Sequence, residues 1–278
     1  MILVTGATGN VGGEVVRALA AEGAPVRAVT RSHRAPEPGV EWVTGDLTEP
    51  ESLRPALDGA RALFLLPGYP GAPALLAAAR QAGVQRVVLL SGGSAALGGP
   101  ANAVTRYMAE SERAVRESGL AWTFLRPGAF MSNAFQWLPQ LAAGDVVRVP
   151  FAGVRQAVVD PADIAAVAVR ALLDDGHAER VYQPTGPEPL LPADRVRILG
   201  AVLGRDLTVQ ALPDDEARAE MLRTTPEEYV DAFFDFYVTG TLDESTVHPD
   251  VETVTGRPPR TFHQWAQSHA TAFLPTSP

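Results

Sequence analysis

Residues 2–21 constrain this chain more than any other segment. Ile2-Leu3-Val4-Thr5 is a short apolar run with β-branched members. Gly6-Ala7-Thr8-Gly9-Asn10-Val11-Gly12 follows without a break, and Val15, Val16, Ala18 and Leu19 then recur at helical spacing. A strand that passes through a glycine turn into a helix is the opening unit of a doubly wound sheet. The turn also suits one class of ligand. A pyrophosphate approaches the backbone closely only where no Cβ intervenes, and the unpaired N–H groups and positive dipole end of a helix N-terminus hold it there. In that reading Gly6 makes the turn, Gly9 admits the phosphate and Gly12 lets the helix pack closely, with Thr8, Asn10 and Val11 completing the site. The glycines are spaced three and three, a departure from the usual two-and-three fingerprint.

The rest of the N-terminal half repeats the alternation. Strands are predicted over 25–30, 40–44, 62–66, 86–90 and 122–125, and helices over 50–57, 73–82 and 103–117, with Gly119 closing the last of these. Ala62-Leu63-Phe64-Leu65-Leu66 is apolar at every position, as a parallel strand covered on both faces requires. Strand–helix alternation of this kind gives an α/β fold: a Rossmann-type doubly wound parallel sheet with right-handed crossovers. Beyond residue 130 the rhythm loosens. Helices are predicted from Asp160-Pro161 to Leu173, from Pro192 to Leu203, around Tyr229–Tyr237 and from Thr261 to Phe273, with strands near 181–183 and 207–212. The expected organisation is a nucleotide-binding core over 1–130 and a smaller α/β substrate-binding part over 131–278, interleaved with the core rather than independent of it.

Composition removes several classes of function. The chain has 278 residues, 46% of them apolar, and no cysteine, so disulfides and thiolate metal sites are excluded. Five histidines, at 33, 177, 248, 263 and 269, form no metal-binding spacing. A net charge of −9 argues against a nucleic-acid or anionic-membrane partner. No apolar run is long enough to span a bilayer, and no signal peptide precedes the first strand, so a soluble, cytoplasmic monomer or homodimer is expected.

The end of the second strand addresses the choice of cofactor. An acidic residue there holds the ribose diol of NAD, whereas an arginine suits the 2′-phosphate of NADP. The sequence is Val29-Thr30-Arg31-Ser32-His33-Arg34, and no Asp or Glu occurs between Glu22 and Glu37. Arg31 therefore favours NADP(H) over NAD(H). Asp46 and Leu47, after the third strand, border the adenine, unless Asp46 caps the following helix instead. Leu66-Pro67-Gly68 passes beside the ribose, and Ser91 and Arg126-Pro127-Gly128 face the nicotinamide half. Phe130, Phe135, Trp137 and Tyr69 are candidates for the wall of an acceptor pocket or, equally, for core packing.

Thr5-Gly6-Ala7-Thr8-Gly9-Asn10-Val11-Gly12, Gly45-Asp46-Leu47, Ser118-Gly119-Leu120 and 125–133, which begins Leu125-Arg126-Pro127-Gly128, resemble the atypical short-chain dehydrogenase/reductase superfamily in its NmrA-like branch. Segments 159–165 and 256–262 match it as well, so the resemblance spans nearly the whole chain. That branch includes NADPH:quinone oxidoreductases and redox-sensing regulators. Catalytic members of the wider superfamily use Tyr-x-x-x-Lys on the helix after the fifth strand, with a glutamate eight residues beyond the tyrosine. If Glu112 is that glutamate, the dyad positions fall on Val104 and Met108, and the chain contains no lysine at all.

The resemblance thus implies an NAD(P)H-dependent oxidoreductase that works without the dyad on a conjugated acceptor such as a quinone, whose reduced oxyanion is already stabilised and takes its proton from solvent. Two alternatives stay open. One is a non-enzymatic NADP(H)-sensing regulator. The other is a biosynthetic reductase of a ketone, enone or imine that uses Tyr107 or Ser91 as proton donor.

Overall fold

The structure is a computed structural model that describes residues 1–98 and 102–274. The N-terminal half runs β1 (Ile2–Val4), α1 (Asn10–Ala21), β2 (Val26–Thr30), β3 (Val40–Thr44), a 3₁₀ helix (Pro50–Leu57), β4 (Ala62–Leu65), α2 (Ala72–Gln81), β5 (Arg86–Leu90), α3 (Ala103–Glu117) and β6 (Ala121–Leu125). The C-terminal half adds α4 (Leu138–Ala143), β7 (Val146–Val149), α5 (Pro161–Leu173), β8 (Arg180–Tyr182), α6 (Pro192–Leu203), β9 (Thr208–Ala211), α7 (Asp214–Met221), α8 (Glu227–Tyr237), α9 (Asp250–Thr255) and α10 (Phe262–His269). No helix among the described residues is long and apolar enough to cross a membrane.

Seven parallel strands form the central sheet in the order β3-β2-β1-β4-β5-β6-β8. The direction of winding reverses between β1 and β4, and the crevice beyond their carboxyl ends is where this class of sheet takes its ligands. One face is covered by α1 and α5, which bury Val15, Leu19, Ile164 and Ala168. The other is covered by the 3₁₀ helix, α2 and α3, through Leu53, Leu75, Leu76 and Val115. A third cluster around Trp137, Leu199, Phe262 and Trp265 carries the C-terminal elements. Because β8 and α5 come from the second half of the sequence yet complete the sheet and its cover, the two halves share one core.

The sequence expectations differ from the structure in a few places. Segment 50–57 is a 3₁₀ helix rather than an α-helix, with Pro55 inside it; a proline there lacks the N–H an α-helix needs. The strand expected near 207–212 pairs, as β9, with β7, and the two make a separate parallel ribbon. The final helix ends at His269 and continues as a 3₁₀ turn over Ala270–Phe273.

The N-terminus of α5 explains why two motifs far apart in sequence occur together. Asp160 caps α5 by accepting from the Ala162 N–H at 2.8 Å, and its other oxygen pairs with Arg260 at 2.8 Å. Asp163, fully buried, accepts from Arg257 Nη1 at 2.6 Å and from the Arg260 N–H at 2.7 Å. Residues 256–262 therefore supply the counter-charges for 160–163.

Candidate functional site

The glycine turn lies at the switch point. Gly6 has φ +61°, a left-handed conformation that costs a residue with a Cβ about 1–2 kcal/mol, and a Cβ there would also collide with the Leu66 side chain beyond β4. At Gly12 a Cβ would run into the Gly6 carbonyl oxygen, so the first turn of α1 rests directly on the loop. Thr5 locks the strands together: its hydroxyl donates to the Phe64 carbonyl at 2.9 Å and accepts from the Leu66 N–H at 3.1 Å. Gly9 is the N-cap of α1 and brings no side chain to its first N–H groups, and that first turn carries no acidic residue. Thr8, Gly9 and Asn10 are exposed and Val11 is buried. The turn thus presents unpaired N–H groups and an open surface, which suits a diphosphate.

At the end of β2, Arg31, Ser32, His33 and Arg34 are all exposed. Arg34 lies over the Trp42 ring, 5.2 Å from its centroid. Arg31 makes no ion pair among the described residues. Asp46 does not cap the helix that follows, whose N-cap is Glu49. Its Oδ1 instead accepts from the N–H and hydroxyl of Thr48, both at 2.8 Å. The Thr48 N–H, more than any other group, holds the Asp46 carboxyl below its usual range, with the Arg31 charge assisting. Leu47 is buried beside it.

The ends of β5 and β6 carry a closed polar network. Glu112, buried on α3, accepts from Ser91 Oγ at 2.7 Å and from Arg126 through two parallel bonds, both 2.7 Å, while Arg116 adds a fourth at 3.0 Å. Burial pushes the Glu112 carboxyl up, but the bonds from Arg126 and Ser91 and the two arginine charges outweigh it and leave the pKa lowered. Ser91 and Arg126 are both expected to face the nicotinamide half, with Ser91 as proton donor in one alternative. In the structure both donate to Glu112. Pro127 is buried, and its carbonyl accepts from the Gly93 N–H at 2.9 Å.

Tyr107 faces away from this network. Its ring covers Gly68 (φ +85°) and meets Tyr229 of α8 edge-on, with centroids 6.1 Å apart. Burial, with Tyr229 assisting, raises its pKa, which opposes ionisation rather than preparing it. Tyr107 lines a separate cavity of about 290 Å³ with Gly68 and Tyr69. Leu66 and Pro67 are half-buried above the turn. Met108, one helical turn before Glu112, lies against Gly92.

A cavity of about 470 Å³ opens between the loop after β6, the β7 end, α6 and α8. Trp137, Phe151, Phe233 and Tyr237 wall it, with polar groups from Ser132 and Gln156. Phe151 has φ +51°, an uncommon conformation for an aromatic residue, held by contacts with Phe234 and Tyr237, each with centroids at 5.2 Å. Asn10 Nδ2 donates to Ser132 Oγ at 3.2 Å, so the glycine loop and the cavity share a wall.

A chain of polar groups that the sequence did not single out runs from the cavity lining to Glu244. Arg195 Nη2 donates to Gln156 Oε1 at 3.2 Å; Gln156 Nε2 donates to Glu244 Oε2 at 2.7 Å; and the Tyr237 hydroxyl donates to the same oxygen at 2.8 Å. Burial raises the pKa of Glu244 and, with the adjacent Glu244 charge, drives that of Tyr237 far up. Of the aromatics proposed for a pocket wall, Trp137 alone lines this cavity. Phe135 stacks with Trp265 and Phe273, Phe130 packs on the sheet core, and Tyr69 sits by Tyr107.

Comparison with known proteins agrees with this geometry. The NAD(P)H-binding family matches residues 6–175. The (4-alkanoyl-5-oxo-2,5-dihydrofuran-3-yl)methyl phosphate reductase of Streptomyces griseus is 41% identical, over 99% of this chain and 100% of its own length. The NAD(P)H azoreductase of Xenophilus azovorans is 37% identical, over 98% and 99%. Among solved structures, the NADPH-dependent quinone oxidoreductase of Escherichia coli in complex with NADPH superposes with a TM-score of 0.79 at 24% identity, covering 98% of this chain and 100% of that one, which places the fold. The two relatives at 41% and 37% identity are reductases, so of the readings the sequence left open the enzyme holds. The chain belongs to the NAD(P)H-binding family and is an NAD(P)H-dependent oxidoreductase.

Proposed function

We propose that this enzyme uses NADPH to reduce a conjugated, electron-poor acceptor, a quinone or an enone, seated in the aromatic-walled cavity, and that it does so without a Tyr/Lys dyad. The observation that carries the reading is the cavity itself: a slot between Trp137, Phe151, Phe233 and Tyr237 fits a flat π-system, and through Ser132 it adjoins the glycine loop. When bound, NADPH supplies the hydride. Gly6, Thr8, Gly9, Asn10, Val11 and Gly12 hold its diphosphate, Asp46 and Leu47 border the adenine, and Leu66, Pro67 and Gly68 flank the ribose. Ser91, Arg126 and Pro127 shape the nicotinamide end, the first two through Glu112. Arg31, exposed and without an ion pair among the described residues, is the group for a 2′-phosphate.

The acceptors named for the relatives support the same class. An azo group, a quinone and a dihydrofuranone bearing ring and side-chain carbonyls are all electron-poor π-systems. Hydride addition to such a system leaves a delocalised anion. A general acid is worth about 10²–10⁴ in rate for a reaction that must quench a localised charge, and far less here. Positioning of the acceptor by the rigid aromatic wall then supplies most of the catalysis. The test is NADPH oxidation followed with a naphthoquinone, an α-acyl butenolide and an unconjugated ketone. Turnover is expected with the first two. Equal kcat/KM with the simple ketone, or tight NADPH binding without turnover of any conjugated acceptor, overturns the reading.

A further inference from the structure

Among the described residues, Arg195 is a buried charge without an ion pair. It is 7% exposed, and its Nε is buried without a hydrogen-bond partner. Two other arginines also have a buried nitrogen lacking a hydrogen bond, but Arg27 pairs with Glu41 at 3.0 Å and Arg170 with Glu22 at 2.8 Å. Arg195 has no carboxylate within ion-pair distance among the described residues. Its one hydrogen-bond partner among the described residues is the neutral Gln156 amide, which stands between it and Glu244, and its guanidinium carbon lies 6.0 Å from the centroid of the Trp137 ring. Desolvation brings its pKa down to about 10, so the guanidinium stays charged at neutral pH.

The surroundings say what the charge is for. Arg195 lines the aromatic-walled cavity, and among the described residues no Asp or Glu does. Asn133, Gln136, Thr224 and Thr225 add neutral donors to the same wall. In a chain of net charge −9, a cavity whose only charged lining residue is a buried arginine selects for negative ligands. A buried unpaired guanidinium is costly in free energy, and an anion entering the cavity offsets that cost while gaining charge-assisted bonds to the free edge of the planar group.

We propose that Arg195 forms an anion subsite and that the natural acceptor carries an oxyanion substituent, a phosphate monoester or a carboxylate, next to its conjugated system. This rests on the reading of the cavity as the acceptor site. Aromatic side chains take the π-system and Arg195 takes the charged group, fixing which carbon is presented to the nicotinamide.

The test uses binding, so that it does not depend on turnover. Phenyl phosphate and benzoate are titrated calorimetrically into protein saturated with NADP⁺, which occupies the nucleotide's own phosphate-binding groups. At least one is expected to bind, with affinity falling tenfold or more in Arg195→Met and held within about threefold in Arg195→Lys, while NADP⁺ affinity stays the same in both. The tighter of the two probes identifies phosphate or carboxylate as the substituent. Absence of binding by either probe, or equal binding by Arg195→Met, overturns the proposal. Anion binding at Arg195 without turnover of any conjugated acceptor would instead leave the subsite standing and remove the proposed reaction.

Discussion

Two buried charge networks in this molecule are built on opposite plans. Around Glu112 one carboxylate faces two arginines and a serine, every bond is 3.0 Å or shorter, and the whole lies between α3 and the ends of β5 and β6. Around Arg195 a guanidinium reaches its nearest acid only through an amide, and one of its nitrogens has no partner. The first network is closed and holds strands to a helix. The second opens on a cavity, and no carboxylate among the described residues completes it. Buried polar groups that are fully matched specify structure; those left unmatched beside a cavity mark where a ligand belongs.

The largest effect should separate the two directly. Arg126→Met removes two of the four bonds to the Glu112 carboxylate, leaving Arg116 and Ser91, and is expected to lower stability by about 1.5–3 kcal/mol, whereas Arg195→Met, which replaces a charge without an ion pair by an apolar chain, should leave the apoprotein as stable or more so. Denaturant unfolding of both variants checks this, and a large loss in Arg195→Met would mean that its network is closed after all. Next in size is the exposed charge at Arg31. Arg31→Glu removes the partner of a 2′-phosphate and adds repulsion, so the NADPH-to-NADH preference should fall by at least tenfold, about 1.4 kcal/mol, in paired titrations. Unchanged selectivity would place the 2′-phosphate elsewhere. The smallest effect is expected at Tyr107, which lies outside the cavity against Gly68 and Tyr229. Tyr107→Phe should change kcat by less than about threefold, and a loss on the scale of 10²-fold would restore it as a proton donor.

How far the sequence could be read follows the same division. The nucleotide half is written in contiguous residues, because a glycine turn works through backbone: Gly6 and Gly12 are needed where a Cβ would strike Leu66 and the Gly6 carbonyl. Its central strands, β1 and β4, were legible because burial on both faces makes them uniformly apolar. The acceptor cavity is assembled from the loop after β6, the β7 end, α6 and α8, and no local pattern links Trp137 to Arg195 or Tyr237. One signal was available. On α6, Pro192, Val196 and Leu199 form the buried stripe, and Arg195 falls within it; a charge on an apolar helical face is a reason to look for its partner. The aromatic cluster misled because stacking in a core and lining a cavity use the same residues, as Phe135 and Trp137 show. Ser91 was placed correctly at a strand end, but its engagement by Glu112 depends on a helix that sequence spacing alone does not orient.

The clamp of Arg257 and Arg260 on Asp160 and Asp163 bears on how such a chain can change through recombination. The family-wide segment stops at residue 175, yet two of its acids are neutralised by side chains some eighty or more positions downstream. A fragment cut at that boundary would carry Asp163 into the core with no counter-charge. The nucleotide-binding unit is therefore not a cassette that can be exchanged on its own: a new C-terminal half must bring its own pair of arginines to the start of α5, or the graft will not hold.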